Sequence, residues 1–318
     1  MRVARAPSHT GIFSTGKVPF LYLRALVTVL ALVIVGCSER GEAARGRTAD
    51  ADDFGVPVQA GTIADPARIV SLNPTTTDLL FAIGAGPRMV GRTEWDKWSD
   101  SVRAVPDLGP GLRPNVEAVL ATRPDLVVLY ASADNADAAR QLRSAGVSVV
   151  ALKVDRLADF RRATLLLGEA TGESARAREV VDSVTATLER VREATRQLPH
   201  PGVFWHIWDA PIITIGRGSY MNDLVEIAGG RNIYDDVAAA SPTVSIEDVI
   251  HRDPEVIIAG PVGAAHMRAS TTWRSVDAVR RGRIAVVDTM LVGRPGARLG
   301  EAAVSIARLL HPDAKGLP

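Results

Sequence analysis

The sequence predicts an α/β fold of two lobes with mainly parallel sheets, joined by one long rigid α-helix. Short runs rich in Val and Ile alternate with helical stretches, as in sheets covered on both faces. One sixteen-residue pattern occurs twice without a gap. Between the two copies, residues 173–198 carry a helical apolar stripe uninterrupted by Gly or Pro.

The chain has 318 residues, enough for more than one core, with 47% apolar and 23% charged residues and a net charge of +1. That balance gives no electrostatic case for nucleic acid. The basic run Arg280 to Arg283 reads as a solvated helix end.

Residues 1–37 read as a lipoprotein signal peptide. Arg2, Arg5, Lys17 and Arg24 precede an apolar run over 25–36. Twelve helical residues reach roughly 18 Å, short of the ~30 Å bilayer core but suited to a signal-peptide apolar region. The run ends in Leu32-Val-Ile-Val-Gly36-Cys37, which resembles a lipobox whose Cys is acylated, with Ile34 where Leu is commoner. An uncleaved membrane helix would leave the position of the only cysteine unexplained. A single thiol excludes an internal disulfide, a Cys-rich zinc site and an iron–sulfur cluster. Residues 38–66 lack periodicity and read as a flexible tether.

The first lobe is expected over 67–172, with strands at 68–72, 89–93, 126–130 and 147–153. The second is expected over 199–318, with strands at 203–207, 256–259 and 284–288. In the repeat, Asn115 to Tyr130 aligns with Ser245 to Gly260. Each copy has an N-cap residue, a Glu in the first helical turn (Glu117, Glu247), a short helix, Pro, an acid and an apolar strand. A second pair, Asp78 to Gly84 and Asp223 to Gly229, reads as a helix ending in a glycine cap. The stripe between the lobes comprises Ala177, Val180, Val181, Val184, Leu188, Val191 and Leu198. It is too short for an extended coiled coil, and a strut is the preferred reading.

Four segments together resemble the periplasmic binding proteins for cobalamin, haem and iron-siderophores, and most of all the cobalamin receptors of ABC importers. They are Arg68-Ile-Val-Ser-Leu-Asn-Pro-Thr-Thr-Thr-Asp78-Leu, the Glu117 segment through Pro124-Asp125, Gly229-Gly230-Arg-Asn-Ile, and the Glu247 segment. The resemblance covers about residues 67–312. It implies a periplasmic, membrane-anchored monomer, without catalytic residues or a cofactor of its own. Such a receptor captures a cobalt corrinoid or an iron chelate between its lobes and delivers it to a permease dimer. Glu117 and Glu247 would then dock on permease arginines, and Arg294 would approach the ligand.

Ligands of open parallel sheets bind beyond the carboxyl ends of the strands. That rule selects Asn73 and Thr77, Trp95 and Trp98, Tyr130, Trp208 and Arg294. Indoles suit a flat macrocycle, having broad apolar faces with one polar tip. Trp205 lies inside a strand and reads as core, as does His206; Trp273 is expected to open a helix after Thr271-Thr272. No histidine pair has the spacing of a helical metal site. The cations of the predicted cleft loops, Lys97, Arg113, Arg217 and Arg294, leave haem or a ferric siderophore open as the ligand. Two other classes are less well supported. An enzyme of paired α/β lobes would bring a nucleotide fingerprint or a metal constellation, and Gly84-Ala-Gly86 ends a helix instead of following a strand. An adhesive lipoprotein would bind none of these chelates.

Overall fold

The computed structural model describes residues 51–58 and 68–317. The expected leader with Cys37 lies outside the described residues, as do 38–50 and 59–67 of the expected tether.

The first lobe holds β1 (Ile69–Leu72), β2 (Met89–Gly91), β3 (Leu126–Tyr130) and β4 (Ser148–Leu152), all parallel in the order β2-β1-β3-β4. The second lobe holds β5 (Gly202–His206), β6 (Trp208–Asp209), β7 (Ile212–Ile213), β8 (Arg231–Asn232), β9 (Thr243–Val244), β10 (Val256–Ala259) and β11 (Ile284–Val286). Here β11-β10-β5-β8 form a parallel sheet, and β6-β7-β9 form a small antiparallel one. The expected fold class and all seven expected strands are present. The two-residue strands β6, β7, β8 and β9 were not foreseen, being too short for any periodicity.

Alternation across the pleat explains the layering. Leu126 and Val128 join one apolar cluster, Val127 and Leu129 another on the opposite face. In the second lobe Val256 and Ile258 face the first cluster, while Ile257 and Ala259 face a third. One cluster therefore runs through both lobes.

The connecting helix, Ser174–Thr195, lies within that shared cluster. Its 22 residues span about 33 Å. Ala177, Val181, Val184, Leu188 and Val191 are buried as the stripe predicts, and Pro199 and Pro201 prevent any continuation. The helix is thus packed core along its length and not a bare strut. Two glycines admit its neighbours: a Cβ on Gly168 would lie 2.5 Å from that of Ala177, and one on Gly300 would lie 2.9 Å from Thr187.

The repeat is structural. The side chains of Asn115 and Ser245 accept from the backbone N–H groups of Ala118 and Asp248, capping short helices. Both helices end at a left-handed residue before proline, Arg123 and Asp253. The acids that follow tie the central strand to its neighbour. Asp125 accepts from Arg68 N–H at 2.7 Å, and Glu255 accepts from Gly202 N–H at 2.9 Å. The second pair behaves alike, with Gly84 and Gly229 at positive φ past their helices.

Residues 51–58 depart from the tether expectation. Asp53 N–H donates to Ala151 O, and Asp52 and Asp53 carboxylates accept from the N–H groups of Ala151 and Lys153 on the β4 edge. Arg143 pairs with Asp52, and Arg162 with Asp53. The segment covers an open sheet edge, a site that proteins commonly protect.

Candidate functional site

The carboxyl ends of both sheets open into apolar hollows. In the second lobe, the ends of β5, β10 and β11 surround a cavity of about 480 Å³. Its walls include Ile207, Trp208, Met221, Pro261, Val262 and Val292. In the first lobe, the ends of β1 and β3 surround one of about 330 Å³, lined by Leu72, Asn73, Pro74, Trp95, Pro110, Gly111, Leu112 and Tyr130. A small crevice between the lobes is lined by Asp78 and Trp98 on one side and Met290, Leu291, Arg294 and Arg298 on the other. One segment links crevice and larger cavity, since Thr289, Val292 and Gly293 line the latter. Eight large apolar side chains are exposed among the described residues. Six of them lie at these three places: Trp95, Leu112, Ile207, Trp208, Val262 and Met290. Such a concentration of exposed apolar surface marks an interaction site.

The indoles do not share one pocket. Trp95 is 64% exposed in the first-lobe hollow, and Trp208 is 61% exposed in the second-lobe hollow. Trp208 donates its Nε1–H to Ala210 O at 3.2 Å within its own hairpin, which leaves the ring faces open. Trp98 lies under Arg294, whose guanidinium carbon is 4.0 Å from the ring centroid, a cation–π pair. Trp205 and Trp273 are core residues, as Trp205 was expected to be. Trp273 starts a 3₁₀ turn whose Thr272 makes no side-chain cap, so the expected capped helix is absent there.

The polar candidates divide. Asn73 caps the helix Pro74–Ala82 by accepting from Thr75 N–H at 2.9 Å, and it lines the first-lobe hollow. Thr77 is fully buried, its hydroxyl lies within hydrogen-bond distance of Asn73 O, Ser71 Oγ and Asp96 Oδ2, and it lines none of the three spaces, as a scaffold residue does. Tyr130 lines the hollow, but its hydroxyl donates to Asp155 at 2.9 Å. Burial, then that carboxylate, push its pKa upward.

Carboxylates latch the lobes. Asp78 Oδ2 accepts from Ala297 N–H at 2.8 Å, and a Cβ on Gly296 would reach that oxygen at 2.1 Å. Its repeat counterpart Asp223 is hydrogen-bonded to the backbone of Leu157, at the start of a first-lobe helix. Burial raises the pKa of both acids, and these backbone contacts pull in the other direction. Asp96 is also pushed up by burial; its Oδ2 accepts from Thr93 and Thr77, while Oδ1 is buried without a partner among the described residues. Burial lowers the Arg294 pKa, whereas Asp78 and Asp96 hold its charge in place.

Glu117 and Glu247 sit exposed in the first turns of equivalent short helices, and neither makes an ion pair among the described residues. A hydrogen bond from its own backbone N–H, then one from Ser245, lower the Glu247 pKa. His206 is buried, as expected of a core histidine, yet its ring also lines the larger cavity. Asp209, Val262 and Leu112 escaped the sequence reading. Val262 follows Pro261 after β10, a loop the strand-end rule already covers; Asp209 gave no signal beyond its place next to Trp208.

Among the described residues no group of three or more His, Cys, Asp or Glu could hold a metal ion, and no helix is long and apolar enough to cross a membrane. Two parallel sheets with apolar hollows at their carboxyl ends, joined by a packed helix, define a two-lobed binding protein. The chain belongs to the periplasmic binding protein family, whose model matches residues 69–290. It is 30% identical to an uncharacterized ABC transporter substrate-binding lipoprotein, YvrC of Bacillus subtilis, over 78% of this chain and 81% of that one. It is 29% identical to a cobalamin-binding protein of Halobacterium salinarum, over 78% of this chain and 70% of the other. The fold matches the apo periplasmic heme-binding protein RhuT from Roseiflexus with a TM-score of 0.71 at 24% identity, covering 78% of this chain and 99% of that one.

Proposed function

We propose that this protein is the substrate-binding lipoprotein of an ABC importer and that it seats cobalamin or a related corrinoid between its lobes. The carrying observation is the chemistry of the two hollows. Both are walled mainly by apolar side chains with one open indole each; the polar side chains are His206, Asp209 and Thr289 in one and Asn73 and Tyr130 in the other, and no Lys or Arg among the described residues lines either. An amide-rich, weakly charged macrocycle suits such walls. An anionic chelate demands cations. Three of the four candidate cations do not supply them. Arg113 pairs with Asp134 through two nitrogens, and Lys97 and Arg217 line none of these spaces. The likeness to a cobalamin-binding protein agrees with this reading.

Haem is the second reading, and Arg294 favours it. Its guanidinium makes no hydrogen bond among the described residues, which leaves donors for a propionate. Against it, Asp78 and Asp96 already counter that charge.

Acylation at Cys37 anchors the receptor to the membrane. Glu117 and Glu247, on the two equivalent helices, meet cations of the permease dimer. Rim charges of this kind set orientation and encounter rate. The purified protein is titrated by calorimetry with cyanocobalamin, haem and a ferric siderophore. Saturable cyanocobalamin binding is the expected result; binding of haem without cyanocobalamin overturns the assignment.

A further inference from the structure

Asp209 supplies the only carboxylate among the described residues that line the larger hollow, whose walls are mainly apolar, with His206 and Thr289 as the other polar side chains and no lysine or arginine. The carboxylate is built into the wall. Its Oδ1 is 2.9 Å from Nε2 of His206, a buried imidazole. That ring is wedged in place: Trp273 meets it nearly edge-on at 5.7 Å, and helix Pro261–Ala269 lies on it through Gly263, where a Cβ would come within 2.6 Å of Nδ1. The imidazole is thereby held against Asp209, and its Nε2–H donates to the carboxylate. His266, exposed on the same helix, stands 3.8 Å from the same Oδ1. These two histidines are the titratable groups paired with the carboxylate. Oδ2 has no hydrogen-bond partner among the described residues, and Asp209 shares the cavity wall with Trp208 and Val262.

We infer that Asp209, oriented by His206, is the specificity-determining residue of the second-lobe half-site: it accepts hydrogen bonds from peripheral amide N–H groups of the ligand and rejects ligands that present carboxylates there. The inference rests on these hollows seating a macrocycle. A fixed acceptor rewards a donor and penalises a second acceptor, and in a cavity of low polarity the penalty for like charges is large. One residue would thus separate an amidated corrinoid from its acid forms and from other acid-bearing tetrapyrroles.

The test compares neutral and acid forms of two macrocycles on the purified full chain. Cyanocobalamin is set against its monocarboxylic acids, in which one propionamide is hydrolysed, and haem dimethyl ester against haem. The expected result is at least tenfold tighter binding of the neutral member of the pair that binds. Asp209→Asn keeps an acceptor oxygen without the charge, and should reduce that preference to less than threefold with an unchanged melting temperature. Asp209→Ser serves as a second variant should the Asn form melt early. Equal binding of both forms by the wild type, or a preference that survives in both variants, overturns the role of Asp209. Binding confined to the porphyrin pair, with the neutral preference intact, upholds the rejection of carboxylates by Asp209 and overturns both its acceptance of amide N–H groups and the corrinoid reading. Binding of none of the four overturns both.

Discussion

Trp208→Ala tests the second-lobe hollow directly. The side chain is 61% exposed, so of the roughly 250 Å² an indole can bury, about 150 Å² is open to a ligand. Covering all of it contributes about 4 kcal/mol at ~25 cal/mol per Å². A flat macrocycle covers one face, which halves the figure to about 2 kcal/mol, roughly a thirtyfold rise in Kd. The fold should tolerate the change. Within the described residues the ring's one hydrogen bond is to Ala210 O in its own hairpin, and the side chain belongs to none of the three core clusters. Calorimetric titration with cyanocobalamin reads the affinity, and a thermal melt reads the stability. A variant that melts like the wild type and binds with unchanged Kd refutes the assignment of this hollow to the ligand.

Three further outcomes are expected. Glu117→Arg combined with Glu247→Arg abolishes uptake in a cell assay while leaving solution affinity for the ligand within twofold, because both side chains are exposed and lie outside the hollows. Asp78→Asn changes the pH dependence of stability in a defined direction. Burial raises the Asp78 pKa, so the folded protein binds its proton more tightly than the unfolded chain. Its contribution is fully present below the ordinary carboxylate value of about 4 and is lost as pH rises through the raised value. Asn keeps an acceptor for Ala297 N–H without the charge, so the variant should gain melting temperature over the wild type at pH 8 but not at pH 4; an equal difference at both refutes the argument. Gly296→Ala, whose Cβ would collide with Asp78 Oδ2, should lower the melting temperature, with a loss of about 1–3 kcal/mol read by denaturant titration.

Much of the frame was legible because it rests on patterns the chain repeats. The runs that became β3 and β10 are short, branched and bounded by Pro and an acid, and the duplication fixed their equivalence. The connecting helix announced itself through its stripe and through the lack of any Gly or Pro within it. What stayed hidden depends on contacts between distant residues. Asp52 and Asp53 look like tether composition, yet buried pairing with arginines about 90 and 110 residues away holds them on a strand edge. Thr77 sits at a strand's carboxyl end as a ligand contact should, but its hydroxyl turns inward to Ser71 and Asp96. Arg294 and Trp98 were each read as ligand contacts, and the fold stacks them on one another. Strand-end position predicts which loops face a cleft; it does not say which side chains other groups have already claimed.

The single apolar cluster shared by both lobes has a consequence for selection. A hinge running through close-packed side chains resists large rotations, because any wide swing must shear that packing. The width of the gap is then a property of the protein rather than of its cargo, and the receptor acts as a fixed gauge. Molecules that are too thin leave one jaw empty, and molecules that are too thick are refused entry.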